Sequence, residues 1–166
     1  MKDAVYKILD TLGIGYMVTE HEAAFTVEQA DAIYGHLKGG HSKNLFLRNK
    51  KGSQHYLVVA ESHRPVDLKK VRRLLGESNL SFASPQRLMT HLGLTPGSVS
   101  PFGLLHDTQR HVQVLLDGAL MEHDSLNFHP NVNTATLTLS TAGFRRFLAH
   151  LGHRVREVEL DGEAGP

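Results

Sequence analysis

The stretch Asn127-Phe128-His129-Pro130-Asn131-Val132-Asn133-Thr134 restricts the fold more than any other part of this chain. Pro130 lacks a backbone donor and pushes His129 towards extended backbone, so no helix can run through the segment. Three asparagines and a histidine in eight positions supply donors and acceptors that an apolar core has no use for. Directly afterwards, Ala135-Thr136-Leu137-Thr138-Leu139-Ser140 alternates small or apolar residues with hydroxyl residues, the pattern of a half-buried strand. A rigid polar loop is thus expected at the mouth of a strand, a common setting for binding residues. The same residues also suit a turn in which Asn and His bond only their own backbone, and the stretch by itself leaves both readings open.

Around this loop the chain reads as alternating short helices and strands. Val5, Ile8, Leu9 and Leu12 form the stripe of a first helix from Asp3, stopped by Gly13, and Tyr16 to Glu20 reads as a strand. Thr26 caps a helix over Val27 to Ile33, with Phe25 placed to staple its first turn, and Gly35 to Gly40 forms a flexible loop. Asn44 to Arg48 and His55 to Ala60 read as a hairpin turned by Asn49 to Ser53. Asp67 caps a helix to Leu75 whose basic face is that of a solvated surface. Leu80 to Ala83 is a short strand, and Ser84-Pro85 opens a helix ending near Gly93. His111 to Asp117 is a strand turned by Asp117-Gly118, Thr141 caps a last helix to Leu151, and Val155 to Leu160 is a final strand. This pattern predicts an α+β fold around a mixed, largely antiparallel sheet. Residues 1–160 are expected to form a single domain, with 161–166 as a frayed tail.

Composition narrows the function classes. The chain has no cysteine, which removes disulfides, thiol catalysis and cysteine-ligated zinc. No apolar run is long enough for a membrane span and no signal-peptide pattern opens the chain, so a cytoplasmic protein is expected. A net charge of +1 gives no bulk basic field of the kind that marks a nucleic-acid binder, although Lys38, Lys43, Arg48, Lys50 and Lys51 fall close together, as do Lys69, Lys70, Arg72 and Arg73, and no DNA partner is expected. Twelve histidines are scattered without H-x-x-x-H or H-x-H spacing, so most read as solvated surface, and neither metal nor cofactor is expected.

Three polar loops carry the candidate chemistry: Gly39 to Asn44, Gly97 to Gly103, and Asn127 to Thr134, each expected at a strand end. In the second, Gly97-Ser98-Val99-Ser100-Pro101-Phe102-Gly103, backbone N–H groups of Ser98 to Ser100 or of Phe102 and Gly103 could face an oxyanion or phosphate. Lys43 is either one more surface lysine or, opening a strand directly after a glycine loop, a compact charge suited to a phosphate oxygen. No nucleophile elbow, phosphate-binding loop or dinucleotide fingerprint is present, so any catalysis would rest on positioning and electrostatics.

Four segments taken together resemble one family. His41-Ser42-Lys43-Asn44-Leu45-Phe46-Leu47-Arg48, Leu80-Ser81-Phe82-Ala83-Ser84, Gly97-Ser98-Val99-Ser100-Pro101-Phe102-Gly103-Leu104 and Asn127 to Thr134 resemble the freestanding prolyl-tRNA editing proteins of the YbaK/ProX superfamily. The likeness runs from Glu20-His21 to about Glu159, and the last segment resembles the alanyl-tRNA(Pro) deacylase branch. It implies a mixed sheet rolled into a partial barrel with flanking helices, and hydrolysis of the ester joining a wrong amino acid to tRNA(Pro), without a cofactor. Carried onto this chain, it implies Lys43, Asn44 and His129 as the catalytic set, with Lys43 contacting the tRNA 3′ end. Thr26, Gly97, Ser98, Ser100, Phe102, Gly103 and Asn131 are implied as substrate-binding. The implied partner is mischarged tRNA(Pro), with prolyl-tRNA synthetase or an elongation factor as further candidates. Another mischarged tRNA as substrate, or a non-catalytic module that binds tRNA or a synthetase, are the alternatives.

Overall fold

The structure is a computed structural model and describes residues 2–160, so the expected frayed tail lies outside the described residues. Eight strands form one sheet: β1 (Tyr16–Glu20), β2 (Gly40–Asn49), β3 (His55–Glu61), β4 (Leu80–Phe82), β5 (Gln113–Asp117), β6 (Ser125–Phe128), β7 (Ala135–Ser140) and β8 (Val155–Val158). Six helices flank it: α1 (Lys2–Leu12), α2 (Val27–Tyr34), α3 (Leu68–Leu75), α4 (Pro85–Leu92), α5 (Gly118–Met121) and α6 (Thr141–Leu151). The strand order is β1-β7-β6-β2-β3-β5-β8, with β4 also paired to β2. Four pairings are antiparallel and three, β2 with β6, β3 with β5 and β5 with β8, are parallel. The α+β class with a mixed, mainly antiparallel open sheet is thus the observed architecture.

The centre of the sheet is buried on both faces, which explains the unbroken apolar runs of β3 and β5. Leu57 and Val59 of β3, with Val114 and Leu116 of β5, enter a large core with Val5, Leu9, Leu92, Phe102, Phe144 and Phe147. Tyr56, Val58 and Ala60, with Leu115, point the other way and pack against Val71 of α3 and Leu160. Helix ends follow the expected chemistry: Asp67 accepts from the Lys69 and Lys70 N–H groups, and Ser84 accepts from Arg87 N–H ahead of Pro85.

Several local expectations are corrected. β2 begins at Gly40, so Lys43 lies inside the strand rather than at its opening. β6 absorbs Asn127 and Phe128, and the polar loop proper starts at His129. Gly97 to Gly103 leads from α4 into a 3-10 turn over Pro101–Leu105 and does not sit at a strand end. Asp117 caps the short helix α5, through Ala119 N–H, instead of making a turn. Ser140, one residue before the expected Thr141, caps α6 by accepting from Gly143 N–H. Phe25 is 73% exposed, too open for a staple: its ring stands on the cavity rim near Gly97, while its N–H is held by the Gln29 side-chain oxygen at 2.8 Å.

Candidate active site at the split edge of the sheet

One edge of β2 is shared by two short partners. β6 pairs with Gly40 and His41, β4 pairs with Leu47 to Asn49, and the edge between them is left open for a cavity. Ser42, Lys43 and Asn44 pair with β3 on the other edge and are unpaired on this one, and all three line the cavity. The cavity is about 280 Å³ and is closed by α2 on one side and by Gly97, Val99, Phe128 and His129 on the other. None of the residues of α2 is buried, so the helix is a wall of this cavity rather than a layer over the core.

Asn127 builds the floor. Its amide donates to the carbonyls of Lys38 (3.0 Å) and Gly40 (3.3 Å), and its oxygen accepts from the Thr138 hydroxyl (2.6 Å). Its own carbonyl accepts from the Ser42 hydroxyl at 3.0 Å, and the Asn44 amide donates on to that hydroxyl at 3.4 Å. Asn44 is thereby aimed, yet its side-chain oxygen is buried and has no hydrogen-bond partner among the described residues. The Ser62 hydroxyl, also on the cavity wall, is in the same state. Buried polar atoms are seldom left unpaired, so two beside one cavity mark groups that a side-chain turn would offer to a polar ligand. Lys43 adds a cation beside them, and among the described residues no carboxylate lies within ion-pair distance of it.

The polar loop turns out to join the two readings its sequence left open. His129 Nδ1–H donates to the Ala135 carbonyl at 3.1 Å, a local backbone bond, and the ring also lines the cavity. That bond places the proton on Nδ1 and leaves the Nε2 lone pair without it. Burial, together with nearby His21, holds the His129 pKa below its ordinary value, against a smaller opposing pull from the Ala135 carbonyl. Tyr34 of α2 meets the His129 ring edge-on at 5.9 Å and stacks on His21 at 4.5 Å. His21 is itself held by Glu22 O at 2.7 Å and the Thr136 hydroxyl at 2.7 Å.

Of the ten residues singled out from the sequence, Thr26, Lys43, Asn44, Gly97 and His129 line the cavity. The other five stand behind it. Phe102 is fully buried and packs edge-on against Phe128 and Phe147. Ser100 caps the 3-10 turn by accepting from Phe102 N–H, Gly103 sits against Leu92 and Leu94, and Ser98 is buried. Asn131 donates to the Phe102 carbonyl at 3.3 Å and tethers the two loops; its φ of 64° is left-handed, a conformation asparagine tolerates. Of the five backbone donors considered, those of Ser98, Phe102 and Gly103 are engaged within the loop, which leaves Val99 and Ser100. Gly97 adopts φ +92°, where a side chain would be strained, and lies across from Phe25.

Tyr34, His41, Ser42, Ser62, Asp31 and Thr136 also line the cavity and were not singled out. His41 and Ser42 lay inside the candidate loop Gly39 to Asn44; Asp31 and Tyr34 come from α2, Ser62 from the turn after β3 and Thr136 from β7, which meet through tertiary structure. The view of the histidines as solvated surface also needs correction. His55 and His153 are buried, and His55, His91 and His111 gather within 4.8 Å at the far end of β3.

Comparison with known proteins agrees with this geometry. Residues 21–147 match the family described as the aminoacyl-tRNA editing domain. The chain is 41% identical over 159 residues to the prolyl-tRNA editing protein ProX of Acetoanaerobium sticklandii, covering 96% of this chain and 97% of that one. It is 36% identical over 157 residues to the prolyl-tRNA synthetase associated domain-containing protein 1 of Bos taurus, covering 92% and 91%. A crystal structure provisionally described as a trans-editing enzyme for prolyl tRNA synthetase superposes with a TM-score of 0.72 at 25% identity, covering 97% and 96%. The chain belongs to the aminoacyl-tRNA editing domain family, within the YbaK/ProX group that its four motifs resemble.

Proposed function

We propose that this protein deacylates mischarged tRNA(Pro) in trans, with alanyl-tRNA(Pro) as its substrate. The observation that carries the reading is the pairing of Lys43 with the buried, unpartnered Asn44 oxygen at the open edge of β2. The terminal adenosine of the tRNA presents phosphate oxygens, which Lys43 can meet, and ribose hydroxyls, which the Asn44 oxygen can accept from. Phe25 on the rim offers an exposed ring face on which the unpaired terminal base can stack. The ester carbonyl then lies against the Gly97–Val99 loop, with Val99 N–H as its donor. Water adds to the carbonyl carbon, and the bond from that carbon to the ribose oxygen breaks. The ribose oxygen takes the proton and free amino acid leaves.

An aminoacyl ester is already activated, so alignment and a polarised carbonyl suffice and no side-chain nucleophile is called for. Amino-acid choice follows from volume: His129, locked by its Ala135 bond and braced by Tyr34, is a rigid wall that excludes side chains larger than alanine. The decisive measurement is deacylation of alanyl-, cysteinyl- and prolyl-tRNA(Pro) side by side, in the cytoplasmic setting expected for such an enzyme. Turnover restricted to the alanyl form is the expected result. Preference for the cysteinyl form would move the specificity within the same chemistry. Binding of tRNA without turnover of any ester would overturn the hydrolase reading.

A further inference from the structure

The three histidines at the far end of β3 belong to no part of the cleft. His55 opens β3, His111 precedes β5 on the neighbouring strand, and His91 closes the last turn of α4. His55 lies opposite Arg48 on β2, five residues along that strand from Lys43, or roughly 16 Å at a strand's rise. Their rings are close and mutually oriented: His55 to His91 is 4.1 Å between centroids, His91 to His111 is 4.6 Å, and His55 to His111 is 5.0 Å. His55 Nδ1 and His111 Nε2 are 2.8 Å apart, and one nitrogen from each ring falls within a 4.8 Å group. Imidazole nitrogens around a tetrahedral zinc sit about 2.0–2.1 Å from the metal and thus about 3.3 Å from one another. His55 and His111 are thus slightly closer than that value and no pair in the group is farther apart than 4.8 Å, so side-chain rotations on a rigid frame bring the three to it.

We propose that His55, His91 and His111 form a binding site for a borderline divalent transition metal ion of the zinc type, separate from the editing cleft. Three imidazoles suit such an ion and leave a fourth position for water. The anionic partner a cation needs is at hand: Asp107 is anchored at the base of the cluster, accepting from His111 N–H (3.2 Å), Val112 N–H (2.8 Å) and His153 Nε2 (3.0 Å). Bound metal would pin α4 to the paired starts of β3 and β5.

Arg87, one helical turn before His91, sets the condition for uptake. Its guanidinium donates to His55 Nε2 at 3.2 Å and to the Gly52 carbonyl at 3.2 Å. An Nε2 that accepts means that the neutral ring carries its proton on Nδ1, the atom that faces His111. For metal to bind, His55 gives up the Nδ1 proton to solvent and takes one at Nε2, so the ring stays neutral. Arg87 must then release Nε2 and keep only its Gly52 bond. The rival explanation is a plain hydrogen-bond relay, Arg87 to His55 to His111, with no metal affinity.

The test uses the full-length protein stripped with chelator and titrated with Zn²⁺ by calorimetry, and with Co²⁺ by visible absorption. Wild type is expected to take up one ion in a saturable step, with the intense visible bands of four-coordinate cobalt. His91→Gln, a half-buried position, and the double variant His91→Gln/His111→Gln are expected to bind at least ~10-fold more weakly, the scale on which ligand-shell changes act. Arg87→Gln is expected to bind more tightly than wild type. Metal-free melting of each variant, matched to wild type, establishes that it is folded. Equal uptake by wild type and the double variant would assign the metal to other histidines and overturn the proposal, as would the absence of saturable uptake by wild type. Unchanged or weaker binding in Arg87→Gln would overturn the part given to Arg87. Deacylation by the stripped protein is expected to equal that of the loaded one, which keeps this inference separate from the editing reading.

Discussion

At the scale of single residues, the cleft separates side chains that can be removed without harm to the fold from those that cannot. Lys43 is half-buried and without a carboxylate partner among the described residues, so Lys43→Ala is expected to leave the melting midpoint within a degree or two. Its loss from a charge-assisted contact to RNA corresponds to about 1.5–3 kcal/mol, or roughly ten- to hundredfold in deacylation, with misplacement of the ester adding to this. Full activity in the variant would remove Lys43 from the mechanism. For His129→Ala, the wall reading expects measurable alanyl-tRNA hydrolysis together with new activity on prolyl-tRNA(Pro). A general base at the free Nε2 would instead show as a uniform loss of about 10²–10⁴-fold with no change of preference, and that outcome would reassign the residue. Phe25→Ala should raise KM for the tRNA while leaving stability untouched, since the ring is 73% exposed. Stacking of about 1–3 kcal/mol per base sets the scale, and an unchanged KM would take the base away from Phe25. That Lys43 and His129 stand on a cavity wall was legible in the sequence, because motif and loop chemistry marked them. Phe25 was misread, because a phenylalanine before an N-cap looks like a staple until its ring is seen exposed on the cavity rim.

At the scale of elements, the cleft exists because three strands are tied together at one asparagine. Asn127 on β6 reaches β7 through Thr138 and β2 through Gly40, and it also holds Lys38 before β2. Asn127→Ala removes all of these bonds and leaves buried groups unpaired, so a loss of about 2–4 kcal/mol in urea unfolding is expected. A smaller loss than ~1 kcal/mol would mean that water replaces the amide readily. The elements themselves were largely legible, since capping residues such as Thr26, Asp67 and Ser84 stand where helices start. Their junctions were less so. β6 is only four residues long and pairs with β2 through Gly40 and His41 alone, too little pattern for alternation to reveal it. The early start of β2 was hidden for the same reason: Gly40 to Ser42 are poor strand formers that are ordered by β6 and β3 rather than by propensity.

At the scale of the whole molecule, charge and burial at the histidine cluster decide how the fold responds to acid. Burial, with His91, His111, Arg87 and Arg48 all nearby, lowers the His55 pKa from 6.5 to about 4. The unfolded chain therefore binds the proton more readily, and the stability contributed by the neutral ring is complete above about pH 6.5 and is lost as pH falls towards 4. Melting across that window should show a drop that is reduced in a variant carrying a neutral polar replacement such as His55→Asn; an equal drop in both would place the acid sensitivity elsewhere. Chelator is expected to leave deacylation unchanged, since the proposed reading gives activation of the ester to Lys43, Asn44 and loop N–H groups rather than to a Lewis acid. A rate restored only by added metal would refute that. The overall class of fold was readable from alternating helices and strands. The meeting of His55, His91 and His111 was not, because their separations of 36 and 20 residues follow no local period and are set only by the pairing of β3 with β5 and the packing of α4.

A helix that buries none of its residues has little holding it closed. α2 rests on the Thr26 cap, the Phe25–Gln29 bond, the ring contacts of Tyr34 and a solvent-exposed Asp31–His63 pair at 3.1 Å, while the strands behind it are locked into two cores. Its amides should therefore exchange with deuterium through local opening, long before those of β3 and β5, which wait for global unfolding. The same opening widens the cleft from one side, so an acylated 3′ end can enter and the freed amino acid can leave without disturbing the Lys43 edge. Turnover would then be paced by how often one short helix lifts, and added viscosity or a cross-link from α2 to the Gly97 loop would slow the enzyme without touching its chemistry.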